Sequence, residues 1–122
     1  MACDSRVLFC DPHILGDEPV IRHSQPYPVN VPIVVIGLSH HTSPVELRER
    51  FAFSGAQLTE ALGQLRERGI ADEAVILSTC NRVEIYAASD DGDQALGQAL
   101  RQFLCEFHGI SEEPGDALYT LR

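Results

Sequence analysis

Two short apolar runs, and the polar residues between them, constrain this chain more than any other feature. Ala74-Val75-Ile76-Leu77 leads into Ser78-Thr79-Cys80-Asn81-Arg82, and the alternating Val83-Glu84-Ile85-Tyr86-Ala87 leads out. Runs this short, rich in β-branched and aromatic residues, are strands and not helices. So few residues lie between them that the two strands pair as neighbours around a tight connection, which holds a thiol at its tip. The remaining segments can be read as the frame for that hairpin.

The frame has its own signals. Ile33-Val34-Val35-Ile36 predicts a central strand buried on both faces. Gly37 opens a loop through Leu38, Ser39, His40, His41 and Thr42. Ser43-Pro44-Val45-Glu46 predicts a helix start, with Ser43 as cap, Pro44 at the first helical position and Glu46 completing a capping box. That helix is short and ends at Phe51. A second begins at Ser54, where Gln57 completes the same box and Phe53 and Leu58 are placed to staple it. Leu58, Ala61, Leu62 and Leu65 form its apolar face, and Gly69 stops it. After a turn at 88–92, Asp93 is placed to cap a third helix over Gln94–His108. Its apolar face is Leu96, Ala99, Leu100, Phe103 and Phe107, and Gly109 ends it. Ala117–Leu121 predicts a last strand.

The order is strand, helix pair, strand, strand, helix, strand. This is the split βαβ, or ferredoxin-like, pattern. It predicts an α+β fold: a four-stranded antiparallel sheet with helices packed on one face. The folded part is expected at 31–122, with 1–30 as a poorly ordered or draped extension carrying Pro12, Pro19, Pro26 and Pro28. Within it, Val7-Leu8-Phe9 is expected to make a local contact only.

Composition excludes several functions. Nine arginines, no lysine and eighteen acidic residues give a net charge of -9. The cations form no stripe, so binding to nucleic acid through phosphates is expected to be weak. No apolar run approaches the roughly 20 residues of a membrane span. No signal-peptide pattern opens the chain, which makes the cytoplasm the expected location. Cys3, Cys10, His13 and His23 match no zinc spacing, and the segment is expected to be reduced and metal-free. Gly37-Leu38-Ser39 does not continue into a glycine-rich phosphate loop, so no nucleotide site is visible.

Cys80 is the candidate nucleophile. A loop thiol reacts as thiolate, and Arg82 can favour that form. Thr79 and Asn81 can hydrogen-bond a bound carbonyl or its oxyanion. The same residues also suit a small side chain filling a turn, since free cysteines are commonly buried and inert. Cys105 reads as packing at the edge of a helix face. His40 and His41 suit a base, a substrate contact or a local hydrogen bond, and the sequence does not place them against Cys80. Glu84 and Tyr86 read as the solvent face of a strand, with Glu84 able to pair with Arg82.

The two blocks at 37–49 (Gly-Leu-Ser-His-His-Thr-Ser-Pro-Val-Glu-Leu-Arg-Glu) and 76–86 (Ile-Leu-Ser-Thr-Cys-Asn-Arg-Val-Glu-Ile-Tyr) closely resemble glutamyl-tRNA reductase, in that family's order and separation. The resemblance covers about residues 31–122. It implies NADPH-dependent conversion of glutamyl-tRNA to glutamate-1-semialdehyde, at the entry to tetrapyrrole and 5-aminolevulinate biosynthesis. It implies that Cys80 attacks the glutamyl ester to form a thioester, with Thr79, Asn81 and Arg82 contacting substrate and Arg82 gripping its carboxylate. It also implies that the charged 3′ end of the tRNA is the substrate contact, and that an aminomutase is the next enzyme and a partner. Homodimerisation is implied through a domain not found before Arg122. The family's NADPH domain is likewise not found before Arg122, so this chain alone is expected to be inactive as a reductase. Two other readings stay open. One is a non-catalytic ferredoxin-like module that binds a partner. The other is a thiol redox sensor at Cys80, for which no resolving cysteine lies nearby in sequence.

Overall fold

The computed structural model describes residues 31–90 and 92–122, together with the backbone of 6–10. The rest of the 1–30 extension, with Cys3, His13 and His23, lies outside the described residues. The chain order is β1 (Arg6–Cys10), β2 (Ile33–Ser39), α1 (Val45–Phe51), α2 (Gly55–Glu67), β3 (Glu73–Ser78), β4 (Arg82–Ala88), α3 (Asp93–Phe107), a 3-10 turn at Gly115–Ala117, and β5 (Tyr119–Leu121).

The four strands expected from the sequence form one antiparallel sheet in the order β3-β4-β2-β5. That is the ferredoxin-like order, produced because β4 turns back between β3 and β2. β1 adds a fifth strand on the outer edge of β3, in antiparallel register from Arg6↔Ser78 to Cys10↔Ala74. The expectation of a local contact at Val7–Phe9 therefore gives way to a strand. An open edge of β3 offers unpaired backbone groups, and a β-prone segment such as Val7-Leu8-Phe9 satisfies them.

Strand alternation sorts the side chains. Val34, Ile36 and Leu38 of β2, Ala74 and Ile76 of β3, and Val83, Ile85 and Ala87 of β4 enter the core. They pack with Phe51, with Leu58, Ala61, Leu62 and Leu65 of α2, and with Leu96, Leu100, Phe103 and Leu104 of α3. The face expected for α2 is the face observed. That of α3 is turned slightly toward Gly97 and Leu104, leaving Ala99 and Phe107 half-buried.

The helix ends show what local signals decide. Ser54 forms the complete capping box with Gln57: its hydroxyl accepts the Gln57 amide at 3.2 Å, and the Gln57 side chain accepts the Ser54 amide at 2.8 Å. Gly69 ends α2 at φ 66°, where the Gly69 amide bonds Arg66 and the Ile70 amide reaches Leu65 at 3.0 Å. Two expected caps are corrected. Pro44, not Ser43, is the N-cap of α1, and it makes no side-chain cap bond. The Ser43 hydroxyl instead donates to the Ser39 carbonyl at 3.1 Å, because the loop folds back on the strand end. Gly92, at φ 96°, precedes α3, so Asp93 is its first residue and acts on the helix dipole, not as a cap.

Candidate active site at the β3–β4 tip

The connection between β3 and β4 is short and internally bonded. The Thr79 amide donates to the Arg82 carbonyl at 2.8 Å and closes the turn. The Thr79 hydroxyl accepts the amides of Asn81 and Arg82, both at 3.2 Å. Thr79 therefore shapes the turn, a role beyond the substrate contact expected from the sequence. Cys80 and Asn81 are exposed at the tip.

Three elements brace this tip from outside. The end of β2 pairs Ser39 with Arg82, and the His40 amide then donates to the Asn81 carbonyl at 2.8 Å. Both family-like blocks thus meet at the tip. Ser39 organises the loop between them: its carbonyl accepts the amides of Thr42 and Ser43, each at 3.0 Å, and its hydroxyl accepts the His41 amide at 3.2 Å. His40 and His41 are exposed with their rings 3.9 Å apart. From behind, the amide of Phe53 donates to the Ser78 hydroxyl at 3.0 Å, tying the α1–α2 link to the end of β3.

Arg48 is the third brace, and sequence reasoning missed it. By sequence it is only one of the nine arginines that form no stripe. It is buried, with 8% of its surface exposed. Its Nε donates to the Cys80 carbonyl at 3.2 Å and its Nη1 donates to the Ser43 carbonyl. A rigid planar fork suits two fixed carbonyls better than a flexible ammonium does. No spacing rule would have found it, since its main partner is 32 residues away.

A polar cluster lies beside the tip, on the sheet face opposite the helices. Glu84 stands in register with Gly37 on β2, and Gly37 with Tyr119 on β5. The Tyr119 hydroxyl donates to Glu84 Oε1, and the Tyr86 hydroxyl donates to Glu84 Oε2 at 2.6 Å. Arg82, half exposed, places Nη1 3.7 Å from Glu84 Oε1. The pairing of Glu84 with Arg82 is as expected. Its solvent exposure is not: Glu84 is buried at 5%. Burial and the carboxyl partner push the Tyr119 phenol well above its ordinary value, and the Glu84 hydrogen bond raises that of Tyr86.

The two thiols outside the extension differ. Cys80 is disulfide-bonded, whereas Cys105 is free and half-buried. Burial, then Glu113, raises the Cys105 thiol above its usual range, so it stays protonated and packs against the core as expected.

No group of three or more histidine, cysteine or acidic side chains suited to a metal occurs among the described residues. Among the described residues, the strand-to-helix connection at 40–44 holds no glycine-rich phosphate loop, so these residues do not fit NADPH. No described helix is long and apolar enough to cross a membrane.

The candidate site is thus a cysteine exposed at a braced hairpin tip of a ferredoxin-like sheet, with an arginine and a buried carboxylate beside it. The family model for glutamyl-tRNA(Glu) reductase, N-terminal domain, matches residues 36–121. Similar curated proteins, each named glutamyl-tRNA reductase, include that of Stenotrophomonas maltophilia K279a. It is 51% identical over 83 residues, covering 68% of this chain and 19% of the relative. The protein of Pseudoalteromonas translucida TAC 125 is 49% identical over 80 residues (66% and 18%). That of Carboxydothermus hydrogenoformans is 47% identical over 79 residues (65% and 17%). The chain belongs to the glutamyl-tRNA reductase family and spans about a fifth of the length of these relatives.

Proposed function

We propose that this chain supplies the acyl-transfer half of glutamyl-tRNA reductase chemistry, with Cys80 as the acceptor. Once a dithiol reductant has freed Cys80, its thiolate sulfur attacks the ester carbonyl joining glutamate to the 3′-terminal ribose of the tRNA. A carbon–sulfur bond forms, the carbon–oxygen ester bond breaks, and the ribose oxygen leaves and takes a proton from water. The product is a glutamyl thioester on Cys80, which accepts hydride more readily than the ester does. Reduction to glutamate-1-semialdehyde belongs to the whole enzyme, with NADPH held by parts outside the described residues.

Arg82 and Asn81 would contact the glutamyl group, Arg82, whose guanidinium lies partly exposed beside Glu84, through a bidentate grip on the substrate's side-chain carboxylate. Thr79 acts through the turn it holds. In the whole enzyme this reading also includes a second subunit and the aminomutase that consumes the aldehyde. No described surface is assigned to either.

The observation that carries the proposal is the exposure of Cys80 on a tip braced by both matched blocks. The test is intact-mass analysis of the reduced protein after incubation with glutamyl-tRNA. A hydroxylamine-labile glutamyl adduct on Cys80, absent from Cys80→Ser, is expected, with no aldehyde formed on adding NADPH. An adduct that persists in Cys80→Ser, or none in the reduced protein, overturns it.

A further inference from the structure

Aromatic rings in this fold are withdrawn from solvent, with one exception. Among the residues with described side chains, every phenylalanine and tyrosine ring is buried or half-buried, and so is His108. His40 and His41 are both exposed, with ring centroids 3.9 Å apart and planes tilted by 40°. Their backbone is pinned at each residue. The His40 amide donates to the Asn81 carbonyl at 2.8 Å, and the His41 amide donates to the Ser39 hydroxyl at 3.2 Å. The Thr42 hydroxyl closes the loop by accepting the Ser39 amide at 3.0 Å. The bond from His40 to Asn81 ties the pair to the residue next to Cys80, which is itself exposed.

Charge does not hold a nucleic-acid end at this tip. The net charge is -9 and the arginines form no stripe. Of the two arginines at the tip, Arg48 is committed to the carbonyls of Cys80 and Ser43, and Arg82 stands beside Glu84. Unpaired bases are also held by stacking on exposed aromatic faces, imidazole included, which needs no phosphate contact. We infer that His40 and His41 form a stacking platform for the adenine of the 3′-terminal nucleoside of the tRNA. That base sits on the same ribose that bears the glutamyl ester. The inference rests on the function proposed above and adds a contact on the leaving side of the ester. Base, ribose and ester form one short unit, so seating the base beside the tip orients the ester carbonyl toward Cys80. The two histidines are positioning residues in this role: they touch the base, not the reacting carbonyl.

The test uses unreactive amide analogues of the charged end, so that binding is read without chemistry. One carries glutamate on the 3′-nitrogen of 3′-amino-3′-deoxyadenosine. The other carries it on the same aminosugar as a methyl glycoside, with no base. Titration calorimetry of the reduced full chain should give a Kd about tenfold lower for the adenosine amide, the order expected of one stacked base. His40→Ala/His41→Ala should bring the two Kd values together. His40→Phe/His41→Phe should keep them apart, since a phenyl face stacks as an imidazole face does. A purely structural role would instead weaken both amides alike in the alanine variant and preserve their ratio, which overturns the inference. So does a wild-type ratio near one, undetectable binding of the adenosine amide, or a ratio lost equally in the phenylalanine variant. NADPH also carries adenine, and it should not displace the adenosine amide; displacement would assign the platform to the cofactor and overturn the inference too. Glutamyl transfer to Cys80 is read separately. Transfer with a wild-type ratio near one would leave the proposed function standing without this inference, and the expected ratio in a chain that takes no glutamyl group would do the reverse.

Discussion

The hydroxyl of Tyr119 reaches across β2 to the carboxylate of Glu84, and it can do so because Gly37 lies between them. Three strands contribute one residue each to this row. A Cβ on Gly37 would stand 2.6 Å from the Val83 carbonyl oxygen, 2.7 Å from Glu84 Cγ and 3.1 Å from the Tyr119 hydroxyl. Glycine is required here for space, not for its backbone conformation.

Gly37→Ala should therefore destabilise the fold by roughly 1–3 kcal/mol, since the nearest obstacle is backbone that cannot swing aside. Urea denaturation measures it. The double variant Gly37→Ala/Tyr119→Phe should cost less than the sum of the singles, because the phenol hydroxyl is one of the atoms displaced. Strict additivity would mean that the row is not coupled.

Tyr119 should resist ionisation in alkali. Its folded value lies above the unfolded one, so the stability it contributes is fully present below about pH 10 and is lost as pH rises beyond that. Phenolate absorbance should show one tyrosine titrating only with alkaline unfolding, and Tyr119→Phe should remove that component. Loss of the hydrogen bond to Glu84 should cost about 1–2 kcal/mol at neutral pH.

Arg48→Ala should leave the carbonyls of Cys80 and Ser43 without their donor and cost about 2–4 kcal/mol. Arg48→Lys should recover only part of this, because an ammonium cannot span both acceptors in one plane. With the protein reduced, alkylation of Cys80 should change in rate in Arg48→Ala while Cys105 labels as before. Unchanged Cys80 kinetics would reduce Arg48 to a purely structural role.

His108 sets an acid limit on stability. Its ring packs against Phe51, Phe53 and Phe107, its Nε2 is buried without a partner, and burial lowers its value to about 4. Unfolded histidine takes a proton near pH 6.5, whereas the native ring does so only near pH 4. The unfolded state therefore binds more protons in that window, and stability should fall as pH drops through it. Denaturation midpoints from pH 7 to 4 test this, and His108→Phe should flatten the profile.

Much of the frame was legible because its signals are local. The Ser54–Gln57 box, the apolar face of α2 and the stop at Gly69 each involve residues within a few positions of one another. The same local logic misplaced the cap at Ser43. A hydroxyl that can cap a helix can equally bond back to Ser39, and only the fold of the loop selects between the two. Glu84 was misread for a related reason. Alternation correctly put it on the face away from the helices, but alternation does not reveal what Tyr119 covers.

The sequence by itself determined the strand and helix order, the hairpin with Cys80 at its tip, and the family, because period, turn residues and a specific block of side chains are written in consecutive positions. Tertiary structure alone decided which distant groups meet there. Arg48 on Cys80, Tyr119 on Glu84 and β1 on β3 join residues tens of positions apart. Such contacts arise from burial and the pairing of open strand edges, and these depend on how the whole chain closes, not on any stretch of it.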